Sequence, residues 1–431
     1  MKQMALIVMS TFILITQLQA KINLIKKENS DSNTTLLVIG GIHGNEPGGY
    51  FSAAILATHY TILSKNLWVV PNLNKASIIA NKRGIHGDMN RKFATMKKND
   101  KDRAIVEGIK KIILNKKVSL VLNLHDGHGF YRHKEQNSIF NPNAWGQTCV
   151  IDQCNLNQKN PFGNLNDIAQ NVQKSVNKRL LKKHHIFNVK NTQTKLKDEQ
   201  MRLSLTYFAV KHNKPAFAIE TSKSLSTVSQ KVFYQLLAIE EFMKIMNIKY
   251  KRDFKLNERN LAKIIKNYGT LEINHKILLN LSDIKKSLSF IPLKSESNEF
   301  NCSNLLGVVK KNRLGAYDVY VGNRKITTLK PQYFKISKNC PTFYKVEADN
   351  KLISLQKASN FSVNDDFKII KDRTVRVNVI GYPSSKKDES DFFIRKKDLV
   401  SKYAIDKQNN VYRIEFYSND GFCSMITVTF K

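Results

Sequence analysis

The sequence has few acidic residues, few cysteines and almost no long apolar runs. Against 70 Lys and Arg there are 35 Asp and Glu, a formal net charge of +35 over 431 residues. Its five cysteines (Cys149, Cys154, Cys302, Cys340, Cys423) include no CxxC pair. No internal repeat or low-complexity tract is visible, and no zinc-finger, helix-turn-helix or RNA-binding signature accompanies the basic residues. Those residues are mostly Lys and run along the whole chain, which reads as a solvated surface rather than a nucleic-acid patch. What is present suffices for packed cores: 42% of residues are hydrophobic and 9% aromatic, which excludes a disordered or collagen-like chain. At about 100–200 residues per domain, two to four domains are expected.

The one notable apolar run opens the chain. MKQMALIVMSTFILITQLQA, Met1 to Ala20, has a lysine, an apolar stretch and a small-residue site, the pattern of a secretory signal peptide cut after Ala20. It is too short to span a membrane comfortably and no other stretch comes close, so an exported protein, not an integral membrane one, is expected, in the periplasm if bacterial. In an oxidising compartment Cys149 with Cys154 would close a small loop and Cys302 with Cys340 would staple a C-terminal domain; buried free thiols are the alternative.

From Leu36 to about Asn247, short apolar runs alternate with amphipathic stretches, the texture of an α/β domain. Strands are predicted at Leu36–Gly40, Leu67–Pro71, Val118–His125 and Pro215–Thr221, each apolar on both faces as a helix-covered sheet requires. Helices are predicted near 47–60, 102–115, 166–185 and 224–246. Beyond Lys249 helical periodicity stops, and alternating runs such as YDVYVGNRKITTL and FCSMITVTF predict two small all-β domains, 250–344 and 345–431, after an α/β domain over 21–249.

The first strand ends in GGIHGNEPGG, which places His43 and Glu46 in a glycine-rich turn before a helix that Pro47 opens. Open α/β sheets bind ligands at that end of their strands. A second strand ends at His125, with His128 a rival three residues on; two His and one Glu form a catalytic zinc set that leaves a position open. Such a site needs a base, and Glu220 ends the apolar strand PAFAIE; pairing with nearby Lys223 is its alternative role. Between these segments KRGIHGDMNRKF contains Arg83, Asp88, Asn90 and Arg91, whose guanidinium and amide groups suit a carboxylate clamp, with a solvated basic loop as the alternative.

Taken in order, HGNE, DMNR, NLH and AIE resemble the funnelin zinc carboxypeptidases over roughly residues 36–250. The resemblance implies a mixed sheet flanked by helices and one zinc ion on His43, Glu46 and His125. It further implies substrate-carboxylate binding by Asn90 and Arg91, carbonyl polarisation by Arg83, and Glu220 as catalytic base. The signal peptide, the NLHDGHGFYR loop and the β-rich extension are most similar to the periplasmic DL-carboxypeptidases that shape helical bacteria. Those enzymes trim muramyl tripeptide to dipeptide between D-glutamate and meso-diaminopimelate. Some relatives carry Gln at the first ligand position, where this sequence keeps His43. On the same footing Trp145 and Thr206 are expected to touch the diaminopimelate moiety, although Trp145 also suits a role pinning its own loop.

Two other readings follow from the same residues. GxHGNE and LH also resemble the succinylglutamate desuccinylase and aspartoacylase branch, whose cytoplasmic setting the signal peptide opposes. A non-catalytic wall-binding scaffold, with the β domains engaging wall or shape-complex partners, is opposed by the intact His43, Glu46, His125 and Glu220. For the carboxypeptidase reading, the excess of Lys would attract a carboxylate-rich peptidoglycan peptide over long range.

Overall fold

The computed structural model describes residues 22–29 and 32–431, so the signal peptide expected over Met1–Ala20 lies outside the described residues. A seven-stranded sheet forms the centre of the N-terminal domain. Its strands in chain order are β1 (Ile25–Lys27), β2 (Thr35–Ile39), β3 (Asn66–Val70), β4 (Val118–Gly127), β5 (Thr148–Ile151), β6 (Asn188–Asn191) and β7 (Ala216–Ser222). Across the sheet they run β1-β3-β2-β4-β7-β5-β6. The four apolar runs predicted as strands are the parallel centre β3-β2-β4-β7. β1 and β5 join antiparallel, which makes the sheet mixed. β5 and β6 have no sequence prediction, because TCVI and NVKN are short and either irregular or polar.

Helices cover both faces: α1 (Pro47–His59), α2 (Arg103–Ile113), α3 (Leu165–Asn177), α4 (Leu205–Lys211), α5 (Val228–Ile245) and α6 (Glu258–Lys266). α3 stops eight residues short of its predicted end at 185. There the Asn177 side chain bonds both backbone groups of Phe187, donating to its oxygen at 2.9 Å and accepting from its nitrogen at 2.8 Å, and so folds the chain back. α5 starts at Val228 because Thr227 caps it, its hydroxyl accepting from Gln230 N–H. α6 lies beyond Lys249, where helical periodicity was expected to end. Leu261, Ile264 and Ile265 form an apolar face at helical spacing after the Asn257 cap, so the sequence carries this helix and the expectation is corrected. No helix among the described residues is long and apolar enough to cross a membrane.

Two β modules follow. The first holds a three-stranded sheet of Thr270–Ile273, Ile277–Asn280 and Phe300–Cys302, and a four-stranded sheet running Ser287–Leu293, Arg324–Tyr333, Tyr317–Val321, Gly307–Lys311. Its apolar residues, among them Leu271, Leu279, Val319 and Leu329, belong to the same continuous core as the α/β domain. The second is a pair of four-stranded sheets between Phe343 and Phe430 around a separate core that includes Val346, Phe367, Ile414 and Phe416. The strand Gly421–Phe430 serves both cores. Phe422 and Met425 join the larger, while Cys423, Ile426, Val428 and Phe430 join the smaller.

The cysteine pairing corrects the sequence reading. Cys340 bonds Cys423, with Cα atoms 5.6 Å apart, and closes a loop of sequence separation 83. Cys149, Cys154 and Cys302 are free. Cys149 is sealed inside β5 whereas Cys154 lies in an exposed loop, so their thiols occupy opposite environments. Cys302 packs on Gly307 within the first β module, away from the module that Cys340 enters. Replacing Cys340 and Cys423 together by Ser is expected to lower stability by about 2–4 kcal/mol, the usual value for a structural crosslink. Denaturant unfolding of the double variant beside the oxidised parent checks this.

Candidate active site

The site is built where β2, β4 and β7 end. After β2 the chain turns sharply through His43 and Gly44. Gly44 presses on the backbone of Ser77, which a side chain would overlap, and its N–H donates to Lys82 O at 3.0 Å. Glu46 occupies the N-cap of α1 but makes no capping bond with its side chain, and Pro47 begins the helix. α1 then lies directly on β4. A Cβ at Gly48 would overlap the Asp126 carboxylate, and one at Gly49 would stand 2.7 Å from Leu124 O. Two successive glycines therefore let the helix approach the strand closely enough for Glu46 to reach His125.

His43, Glu46 and His125 are all buried, at 2%, 3% and 3% exposure. His43 Nδ1 stands 3.0 Å from Glu46 Oε1, His125 Nδ1 stands 2.8 Å from Glu46 Oε2, and the two Nδ1 atoms are 3.2 Å apart. One donor atom from each residue lies within 4.8 Å of the others, so two imidazoles and a carboxylate converge as ligands for one cation. This donor set fits a carboxypeptidase metal.

The surroundings support that role. His43 Nε2 is 2.8 Å from Asp88 Oδ1, a carboxylate that fixes the ring and leaves Nδ1 facing the centre. Arg83 donates from Nε to Asp88 Oδ2 at 2.9 Å and approaches Glu46 Oε1 at 3.4 Å. Burial works against the charge of Glu46, but the flanking imidazoles hold its carboxyl well below the usual carboxylate range. Burial likewise opposes the charge of His43, yet Glu46 and Asp88 outweigh it and raise the imidazole to about 9. Without a metal, the site attracts a proton to the place a cation would take.

Glu220 faces this cluster from the neighbouring strand. In the parallel pairing of β4 and β7 it lies opposite His125, so both side chains leave the same face at the same level. Gln235 of α5 reinforces that register, its amide nitrogen donating to His125 O at 2.7 Å and to Ile219 O at 3.1 Å. Burial first, and then repulsion from Glu46, push the Glu220 carboxyl up to about 8. The alternative of a Lys223 partner is not what the fold shows: Lys223 Nζ approaches Glu46 Oε1 at 3.6 Å, and Glu220 has no ion pair among the described residues. His128, the rival ligand, lines the cleft outside the ligand cluster.

The substrate side closes the cleft. Asp88 caps the short turn Met89–Arg91 by accepting from Asn90 N–H at 2.9 Å. Asn90 Oδ1 accepts from Leu205 N–H at 3.0 Å at the start of α4, which leaves its amide nitrogen as the donor available to the cleft. Arg91 is half-buried beside it, with Nη1 donating to Asn90 O at 3.1 Å. Trp145 sits on a loop held by Lys190, whose ammonium donates to Pro142 O and Ala144 O, both at 2.9 Å, and lies 4.4 Å from the indole centre. Trp145 thus both pins its loop and walls the cleft. Thr206, in the first turn of α4, completes the wall with Met201, Val150 and Ala218.

His43, Glu46, His125, Glu220, Arg83, Asn90, Arg91, Trp145 and Thr206 all line this one cleft, which has a volume of about 230 Å³. Residues that sequence reasoning left without a role are Asp88, Asp126 and Gln235. Asp126 accepts from Gly48 N–H at 2.9 Å and from the Thr221 hydroxyl, tying α1 to β4 and β7. Its signal was a carboxylate directly after a ligand in an apolar strand. Gln235 carries no such mark within its helix.

Two family models match the chain: a catalytic carboxypeptidase controlling helical cell shape over residues 1–266, and the C-terminal domain of a metallo-carboxypeptidase over residues 337–431. No curated protein matches it. Among solved structures, the apo form of the cell shape determinant Csd4 from Helicobacter pylori is 34% identical, covers 95% of this chain and 100% of its own, and superposes with a TM-score of 0.87. The tripeptide-bound form of the same protein gives 34% identity, 95% and 100% coverage and a TM-score of 0.87. The mDAP-bound form, described as a D,L-carboxypeptidase, gives 34% identity, 94% and 100% coverage and a TM-score of 0.87.

Two measurements test this geometry. In the metal-free protein Glu220 is expected to contribute a loss of stability as pH rises from about 4.5 towards 8, because the unfolded chain releases a proton that the folded chain retains, while His125, lowered by burial, opposes it below its ordinary value. His43, also raised, adds a loss in the same direction above its ordinary value. In thermal melts with chelator present, Glu220→Gln should remove the first component and show a shallower decline. Replacing Asp88 by Asn should weaken metal binding about 10–100-fold while the fold persists, as read by competition against a chelator of known affinity.

Proposed function

The chain belongs to the family of carboxypeptidases that control helical cell shape, and we propose that it is a periplasmic zinc D,L-carboxypeptidase trimming peptidoglycan tripeptide to dipeptide by releasing meso-diaminopimelate. The single observation that carries this reading is the shared cleft: a His43–Glu46–His125 cluster, with Glu220, Asn90 and Arg91 lining the same cavity. Tripeptide-bound and mDAP-bound structures of the Helicobacter pylori relative supply the substrate class. The signal peptide pattern of Met1–Ala20 supports export. Two imidazole nitrogens and one carboxylate suit zinc among divalent ions.

When bound by His43, Glu46 and His125, the metal supplies Lewis acidity for the scissile carbonyl and makes water a nucleophile at neutral pH. The chain's own residues do the rest. Asn90 donates its amide N–H, and Arg91 its guanidinium, to the carboxylate beside the bond to be cut, which fixes which amide faces Glu220. Arg83 is half-exposed at the cleft rim and held by Asp88, so its remaining donors can meet the carbonyl oxygen as negative charge develops there. Glu220 takes the proton of the attacking water and delivers it to the departing amine. Burial raises the proton affinity of Glu220 in the metal-free protein and a bound cation would lower it again, leaving a carboxylate that can accept the proton and return it. Trp145 and Thr206 face the side chain of the released residue.

Zinc-loaded protein incubated with muramyl tripeptide is expected to yield dipeptide and free diaminopimelate, identified by mass. Glu220→Gln should lower kcat by about 10²–10⁴-fold with little change in KM. Full activity in that variant, or faster cleavage of N-succinyl or N-acetyl amino acids than of tripeptide, would overturn the assignment.

A further inference from the structure

The first β module touches the α/β domain on α1 and at both ends of the segment from Asn72 to Asn81. Its strands Tyr317–Val321 and Arg324–Tyr333 meet in a tight turn whose tip is Gly322 and Asn323. Gly322 adopts a left-handed φ of +59°, and a Cβ there would stand 3.0 Å from the Tyr50 ring and 3.3 Å from that of Phe51. Both rings belong to α1, one turn after Glu46. Beside it, Asn323 Nδ2 donates to Asn81 Oδ1 at 3.1 Å. From the same module, Leu305 O accepts from Asn72 Nδ2 at 3.0 Å, and Asn72 is buried.

Asn72 and Asn81 bracket the segment that leads into Arg83. Just beyond Asn81 the chain is tied back to this segment: Lys82 N–H donates to Ser77 O at 3.0 Å, Ile85 N–H donates to Ser77 Oγ at 3.1 Å, and Lys82 O accepts from Gly44 N–H at 3.0 Å. Gly44 lies between the ligands His43 and Glu46. The module therefore grips, at both ends, the stretch of chain that aims Arg83 and backs the metal turn.

We propose that the first β module is a structural part of the active site and that Asn323 is a positioning residue, acting through Asn81 on the Arg83 segment. This gives the module a task in catalysis distinct from wall binding, and it rests on the reading of Arg83 given above. A group displaced by a fraction of an ångström at the developing charge loses much of its effect, so a contact made two residues from Arg83 should register in turnover.

The test is a double-mutant cycle on full-length zinc-loaded protein with muramyl tripeptide, using Asn323→Ala, Arg83→Ala and the pair, with thermal midpoints recorded alongside. Asn323→Ala should lower kcat/KM about three- to tenfold, the worth of one hydrogen bond. In the Arg83→Ala background the same change should have almost no further effect. An Asn323→Ala variant with parental kcat/KM, or a loss equally large with Arg83 already removed, overturns the proposal even if the thermal midpoint falls. Should Arg83→Ala alone retain full activity, it is the role of Arg83 that fails, an outcome separate from the first two.

Discussion

The catalytic domain is organised around one buried anion, the carboxylate of Glu46. A carboxylate taken out of water needs compensating charge within reach, or it takes up a proton. Here compensation comes from four directions: imidazoles on either side, the guanidinium of Arg83, the ammonium of Lys223 and the positive end of α1. The ionised state of Glu46 then sets its neighbours. Burial with like-charge repulsion moves Glu220 to about 8, so in the metal-free protein it does not readily join Glu46 in carrying charge at neutral pH, whereas Asp126, moved only to about 6 and held by Gly48 N–H and the Thr221 hydroxyl, stays largely ionised. Three carboxylates thus acquire three functions: a ligand, a tie between α1 and the sheet, and a group of raised proton affinity that can take up and return a proton.

Sheet topology converts this electrostatic arrangement into a cleft. β4 and β7 are parallel neighbours, so a ligand at the end of one and a proton acceptor at the end of the other emerge side by side. β2 lies on the other side of β4 and delivers His43 and Glu46 from the same edge. The glycines at 48 and 49 set the depth at which α1 rests on β4, and hence whether Glu46 reaches His125.

What the sequence disclosed follows the range of the interactions involved. His43, Glu46, His125 and Glu220 each stand where an apolar strand gives way to polar residues, a local mark visible in one dimension. The parallel core strands are legible for the same reason, being apolar on both faces. β5 and β6 are not, since Thr148–Ile151 and Asn188–Asn191 become strands only by pairing with β7 and with each other. The Cys340–Cys423 bond, the Gln235 staple and the Asn323–Asn81 contact join residues 83, 110 and 242 positions apart, and none leaves a trace in local composition. α6 was legible, with Leu261, Ile264 and Ile265 on one face behind an Asn257 cap, but it is a short helix set among strands.

The strand Gly421–Phe430 contributes to both hydrophobic cores. On a ribosome this segment emerges after every other strand of both modules, so neither core can close before it has left the tunnel. The α/β sheet, whose strands all precede residue 223, can assemble early; the packing of Phe422 and Met425 beneath the first β module must wait. A chain truncated before Gly421 would keep every catalytic side chain and yet leave apolar surface open on two modules at once. Proteolytic quality control could recognise such a product by its exposed interior, independently of whether its cleft is intact.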